Sequence, residues 1–221
     1  MRLNKYLSSI SSRRHADELI KRGEVKLNGK LVTELGISVD PDKDVVEVSG
    51  KKIKIETRPV IYLLNKPKGV VTTADDPENR QTVLDFVPKN PRVFPCGRLD
   101  ENTQGLIVLT NDGELCYQLT HPKFEHKKEY FVEGTSKNVV GSIKILKGPL
   151  RLNDGPVHVD SLQVAKQTGN KLHFYITIHD GRNRIVRRIC SACNIEIHCL
   201  TRTKFGNYQL GDIQPGKFQE I

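Results

Sequence analysis

Apolar residues recur at Leu3, Leu7 and Ile10, a spacing of three to four that predicts a first helix with one apolar face. Ser12 offers a hydroxyl to cap a second helix, in which Ala16, Leu19 and Ile20 make the apolar stripe and Gly23 is the stop. The pattern then shortens. Two apolar runs within residues 25–32 flank Asn28-Gly29, the pair best suited to the positive φ angles of a tight hairpin turn. From Pro41 to about Arg58 charge dominates, with Asp42 and Asp44 near one end and Lys51, Lys52 and Lys54 near the other. This stretch reads as the closing strand of a small domain followed by a linker. The boundaries that follow are a small domain at 1–48, a linker at 49–58 and a large domain at 59–221.

From Pro59 onward the chain alternates short β-like runs with turn residues. Strands are predicted at 60–64, 106–109, 130–133, 157–164 and 172–178, and helices at 114–119, 137–147 and 184–193. The fold class is therefore α+β, a mixed and mainly antiparallel sheet flanked by helices, preceded by a small α/β domain. There is no internal repeat and no low-complexity tract.

Charge narrows the choice of partners. Thirty-five Lys and Arg against 26 Asp and Glu leave a formal charge of +9, which favours polyanions such as nucleic acid. The excess is concentrated in two places. Residues 1–30 carry +5 through Arg2, Lys5, Arg13, Arg14, Lys21, Arg22, Lys26 and Lys30 against three acids, and the tail from Gly181 carries +4. No apolar run has the length of a membrane span, and the first residues lack the apolar stretch of a signal peptide. Five cysteines, Cys96, Cys116, Cys190, Cys193 and Cys199, are an odd number, as expected for free thiols in a reducing cytoplasm.

The segment from Cys96 to Gly113 is the densest in candidate chemistry. Arg98 and Asp100 stand two apart, so an extended backbone would point both to one face, where the guanidinium can favour the ionised carboxylate. The same spacing would serve a structural Arg–Asp pair in a turn. Downstream, a helix beginning near Asn183 would place Arg184, Arg187 and Arg188 on one basic face and Ile185 and Ile189 on an apolar one; a solvated basic surface would show the same pattern. Cys190-Ser-Ala-Cys193 with His198 and Cys199 looks metal-like, but zinc sites normally set two ligand pairs apart across a turn, whereas here a helix holds the first pair. Buried thiols are the better reading, and no metal is expected.

Gly97-Arg98-Leu99-Asp100, followed by Thr103-x-Gly105-Leu106 and Leu109-Thr-Asn-Asp-Gly113, closely resembles the active-site motif of the RsuA-type pseudouridine synthases, which modify bacterial ribosomal RNA. Asn65-Lys-Pro-Lys-Gly69 resembles that family's first motif, Lys128-Glu-Tyr130 the segment carrying its tyrosine, Gly181 to Cys190 its basic third motif, and Leu200-Thr-Arg202 to Gly206 its last. The first 48 residues resemble the RNA-binding domain named after ribosomal protein S4. Two positions depart from the usual pattern: Ile185 replaces a glutamine, and Asn194 a glycine just past a helix, where asparagine is the next most tolerant residue of a left-handed cap.

The resemblance implies an isomerase that converts uridine to pseudouridine in ribosomal RNA without a cofactor. It makes Asp100 the nucleophile or base, Tyr130 the residue stacked on the base, and Arg187 the cation that reaches Asp100 or a phosphate. Arg98, Leu200 and Lys66 would support the site, and Arg182, Arg184, Arg188 and Arg202 would join the N-terminal cations on RNA. The context of Asp100 resembles members acting on the large-subunit RNA, with the small-subunit RNA as the alternative. A monomer is expected, taking one flipped uridine from free RNA or from an assembling particle. A non-catalytic RNA-binding module would account for the N-terminal domain but not for Asp100, Tyr130 and Arg187 together. A methyltransferase or metal-dependent nuclease would need motifs that the chain lacks.

Overall fold

The computed structural model describes residues 1–53 and 58–221, so the expected linker at 49–58 lies partly outside the described residues. The chain divides into two compact units, Met1–Pro59 with Asn90–Arg92, and Val60–Lys89 with Val93–Ile221.

In the first unit, α1 (Leu3–Tyr6) passes directly into a 3-10 turn at Leu7–Ser9. The helix therefore ends before Ile10, which is exposed, and the three-residue stripe expected from the sequence stops at Leu7. Serine hydroxyls explain the early end: Ser8 and Ser9 donate to the Lys5 and Tyr6 carbonyls at 2.6 and 3.1 Å, offering the backbone an alternative to another helical turn. The Ser12 hydroxyl accepts from the His15 amide at 3.1 Å and caps α2 (Arg13–Lys21), which buries Ala16, Leu19 and Ile20. Strands β1 (Val25–Leu27), β2 (Lys30–Val32), β3 (Val46–Val48) and β4 (Lys51–Ile53) form an antiparallel sheet in the order β2-β1-β3-β4. Asn28 and Gly29 turn the first hairpin with φ of 51° and 79°. The strand β4 carries this sheet past residue 48.

The second unit is built on β5 (Ile61–Lys66), β6 (Phe94–Cys96), β7 (Gln104–Thr110), β8 (Lys128–Thr135), β9 (Leu150–Leu152), β10 (Gly155–Val157), β11 (Ser161–Thr168), β12 (Lys171–Ile178), β13 (Glu196–Phe205), β14 (Tyr208–Gln209) and β15 (Phe218–Glu220). Its helices are α3 (Gly113–Thr120), α4 (Val139–Leu146) and α5 (Ile185–Ala192). Among the described residues nine strands make one sheet in the order β11-β12-β8-β13-β7-β5-β15, with β14 on β13 and β6 on β7. Neighbours run antiparallel except β13 and β7. The strand expected at 157–164 is instead two, because Val157 ends a hairpin with β9 while Ser161 begins pairing with β12.

The parallel junction of β7 and β13 depends on Gly105. Its φ is +105°, and a Cβ there would overlap the backbone of Arg202, so only glycine allows the close approach. Helix α5 closes with Asn194 at φ 56° and a 2.8 Å bond from the Ile195 amide to the Cys190 carbonyl, the left-handed cap foreseen for that asparagine. Its apolar face, with Ile185, Val186, Ile189 and Cys190, joins the main core of Leu172, Phe174, Ile176 and Val132.

Candidate active site

The loop from Cys96 to Thr103 links β6 to β7 and carries Asp100. It is held from two sides. Lys66, fully buried at the end of β5, donates through Nζ to the carbonyls of Pro67, Val70 and Glu101 at 2.9, 2.7 and 3.1 Å. Burial pushes this amine down to about 8, against the opposing pull of Glu101 and Asp100. Beside it the Thr72 hydroxyl donates to the Leu99 carbonyl at 2.9 Å. On the other side Arg187 Nη2 donates to the Asn102 carbonyl at 2.8 Å and to Thr103 Oγ1 at 3.0 Å. Sequence reasoning does not single out Thr72 or Asn102 and meets Thr103 only as part of a motif, because a threonine or a backbone carbonyl carries no signal until its partner is known.

Asp100 Oδ2 lies 3.7 Å from Arg184 Nη1 and 3.7 Å from Arg187 Nε. These arginines replace the partner expected from spacing: Arg98 is exposed on the same cleft and, among the described residues, forms no ion pair. The backbone around Arg98 and Asp100 is not a strand, so spacing by two does not pair the two side chains although both line the cleft. Arg184 also departs from expectation. It sits in a left-handed conformation, φ 49°, before α5 begins at Ile185, and reaches Asp100 from the helix start rather than from a helical face. Arg187, half-buried, has its affinity for a proton lowered by burial and then by Arg184, with Asp100 pulling the other way.

The sheet supplies the cleft's floor. Leu200 and Arg202 stand two apart on β13, and Tyr130 on β8 is paired in register with Arg202, so all three share one face and line the same cleft as Asp100. Arg202 is only 2% exposed, which corrects its assignment to the RNA-binding surface. Its Nε donates to the Leu106 carbonyl at 2.8 Å, and its guanidinium lies 4.7 Å from the Phe205 ring centroid. Burial lowers its affinity for a proton. Lys128, also lining the cleft, donates to the His126 and His179 carbonyls at 3.2 and 3.0 Å.

The remaining arginines of the third motif are engaged with acids. Arg182 pairs with Asp154 at 2.8 Å and Asp180 at 2.6 Å, and Arg188 Nη1 donates to Asp154 at 2.8 Å. The hydrogen bond from Arg188 is the main reason that the Asp154 carboxyl titrates below its ordinary range. Both arginines therefore brace the turn between β9 and β10, and neither is the free phosphate-binding cation that the motif suggested. In the first unit, Arg2, Lys5, Arg13, Arg14, Lys21, Arg22 and Lys26 are all exposed. Cys190 and Cys193 are buried, which pushes their thiols up to about 12 and about 11. No three metal-ligating side chains converge among the described residues.

A carboxylate between two guanidiniums, above a tyrosine and a leucine on an open sheet face, is a site for a ligand that is flat and carries negative charge nearby. Comparison with known proteins agrees with that class. Residues 60–192 match the RNA pseudouridylate synthase family profile and residues 1–46 the S4 domain profile. The chain belongs to the RNA pseudouridylate synthase family and begins with an S4 domain. It is 43% identical to an uncharacterized RNA pseudouridine synthase of Mycobacterium leprae, over 98% of this chain and 87% of that protein. It is 40% identical to ribosomal large subunit pseudouridine synthase B of Bacillus subtilis, over 100% of this chain and 91% of that protein. A crystal structure of a pseudouridylate synthase superposes with a TM-score of 0.68 at 25% identity, covering 100% of this chain and 96% of the other.

Proposed function

We propose that this enzyme converts a uridine of large-subunit ribosomal RNA to pseudouridine, with Asp100 as the carboxylate that performs the chemistry. The observation that carries the reading is the position of Asp100, 3.7 Å from both Arg184 and Arg187 at the mouth of the cleft that Tyr130 and Leu200 floor. The name of the Bacillus subtilis relative supports the large-subunit RNA as substrate.

The reaction is an isomerisation. The bond from ribose C1′ to uracil N1 breaks, a bond from C1′ to C5 forms, the proton leaves C5 and N1 gains one, so atoms and electrons balance within the nucleoside. The chain must therefore detach the base, keep it in place while it turns, and move a proton. Asp100 acts as nucleophile or base at the ribose or the ring. Arg187, tied to the Asn102 carbonyl and Thr103 hydroxyl, fixes the loop and presents Nε to the carboxylate. Arg184, exposed at the rim, is placed for the phosphate of the target nucleotide as well as for Asp100. Tyr130 stacks on the base and Leu200 walls it in, which retains the free uracil. The uridine has to leave its stack to enter, at a cost of a few kcal/mol that phosphate contacts offset. Exposed cations of the S4 domain supply such contacts. The enzyme acts as a cytoplasmic monomer, on RNA that is free or part of an assembling particle.

Asp100→Asn tests the reading. It retains size and most hydrogen bonding while removing the charge, so pseudouridine formation should fall to background and RNA affinity should change by less than about tenfold, or about 1.4 kcal/mol. A carboxylate with a purely structural role would give the opposite pattern, lower thermal stability with turnover kept in the folded fraction. Substantial turnover by folded Asp100→Asn protein would refute the assignment.

A further inference from the structure

An aromatic ledge stands outside the chemistry described so far. Among the described residues only three tyrosine or phenylalanine side chains are exposed, and two of them, Tyr117 at 41% and Phe124 at 39%, lie together where α3 ends. Their rings meet edge to face at 5.8 Å, His121 lies 4.8 Å from Tyr117, and His126 lies 6.2 Å from Phe124 at a shallow 34°. Lys123 Nζ stands over both rings, 5.0 Å from the Tyr117 centroid and 4.6 Å from that of Phe124.

The ledge adjoins the cleft. Thr120, the last residue of α3, and Lys128, the first of β8, both line it; Phe124 lies on the segment between them, and Tyr117 stands three residues before Thr120 on the same helix. Residues 117–128 contain three lysines, two histidines and one acid. Exposed rings interleaved with cations suit a strand with flat bases and a negative backbone, since stacking gives affinity without sequence preference and the ammonium groups meet phosphates. A protein partner would find no broad apolar surface here, because the rings are edged by charge.

We propose that Tyr117 and Phe124 form a stacking site for an unpaired nucleotide flanking the target uridine, with Lys123 leaving the rings to meet its phosphate. This rests on the substrate reading above. A flanking base held here would tether the displaced strand while the uridine occupies the cleft. The site would act on RNA capture and leave the chemical step alone.

The test uses full-length protein and unmodified transcripts of both ribosomal RNAs, with Tyr117→Leu and Phe124→Leu keeping apolar bulk while removing the ring faces. Each variant should raise Kd and KM about tenfold, with the single-turnover rate at saturating RNA and the melting temperature unchanged. A photoreactive benzoylphenylalanine at position 124 should crosslink within a few nucleotides of the pseudouridine formed, and it reports on the folded enzyme even if a leucine variant is unstable. Unchanged Kd and KM, or crosslinks scattered without relation to the modified position, would overturn the ledge. Conversion confined to the small-subunit transcript would overturn the proposed substrate and leave the ledge to stand or fall on its own affinities.

Discussion

Lys66 connects the fold of this enzyme to the pH dependence of its activity. Its fully buried ammonium spends three N–H groups on three carbonyls, Pro67, Val70 and Glu101, and thereby ties β5 to the loop that presents Asp100. Unfolded, the amine holds its proton to about pH 10.5; folded, burial makes it release the proton near 8. Between these values the unfolded chain binds more protons than the folded one, so this group's contribution to stability rises with pH. The gap corresponds to about 3 kcal/mol at 1.36 kcal/mol per pH unit. Activity should move the other way. A neutral amine has two N–H groups and a lone pair, so above pH 8 one of the three carbonyls loses its donor and the loop is held less firmly. The assay is paired: denaturant unfolding of wild type and Lys66→Met from pH 7 to 10.5, and single-turnover pseudouridine formation across the same range. Wild type should gain stability relative to the variant by up to about 3 kcal/mol through this window while its rate falls with a midpoint near 8. A stability difference that stays flat with pH would refute the argument.

Two further outcomes follow from other parts of the molecule. Gly105→Ala should destabilise the protein by about 3 kcal/mol or more, because a Cβ at φ +105° meets the Arg202 backbone; a melting temperature within 2 °C of wild type, on the order of half a kcal/mol, would show that β7 and β13 can part without cost. Replacing Arg13 and Arg14 by glutamine should lower the slope of log affinity against log salt by about 0.7 to 0.9 for each phosphate that is no longer neutralised, and an unchanged slope in filter-binding titrations would mean that this face of α2 does not touch RNA.

Local features were legible because a few neighbouring residues determine them. Ser12 caps a helix through its own third neighbour, Asn28-Gly29 turns a hairpin by itself, and Asn194 closes α5 within one turn. The gathering of Asp100, Tyr130, Arg187 and Leu200 on one cleft could be expected from motif resemblance and from nothing shorter in range. What escaped was decided by partners far along the chain. Arg98 and Asp100 are near neighbours in sequence, yet Arg184 and Arg187 take the carboxylate because the loop is pinned by Lys66 and Thr72 into a shape that is not a strand. Arg182 and Arg188 read as phosphate ligands until Asp154, some thirty residues upstream, claims both. The run at 157–164 is apolar enough for one strand, but its halves pair with different neighbours. Arg202 lies in a basic tail, and only the register of β13 against β8 shows that it points inward.

That inward arginine raises a question of energy. Among the described residues the buried side-chain polar atoms without a hydrogen-bond partner are Arg187 Nε and Arg202 Nη2, and both belong to arginines lining the cleft. An unsatisfied buried donor costs about 1–3 kcal/mol, more when it is charged, and no carboxylate among the described residues pairs with Arg202 to offset the loss of hydration. A fold free to optimise stability would place an apolar side chain there. Donors fixed beforehand beside a reacting group are useful when negative charge develops during the reaction, because no reorganisation is then needed. The two demands predict opposite signs for one substitution. Arg202→Met keeps length and apolar packing on Phe205, removes the buried charge, and leaves the Leu106 carbonyl and the Tyr130 hydroxyl each short of a partner, a loss of about 2 kcal/mol against a larger relief. The variant should therefore melt higher, by about 2–4 °C for each kcal/mol gained, while its single-turnover rate on ribosomal RNA falls at least tenfold with RNA affinity unchanged. Calorimetry and the rate are read on the same preparation. A variant that melts lower and keeps its rate would show that Arg202 is an ordinary structural arginine whose ring and carbonyl interactions outweigh its burial.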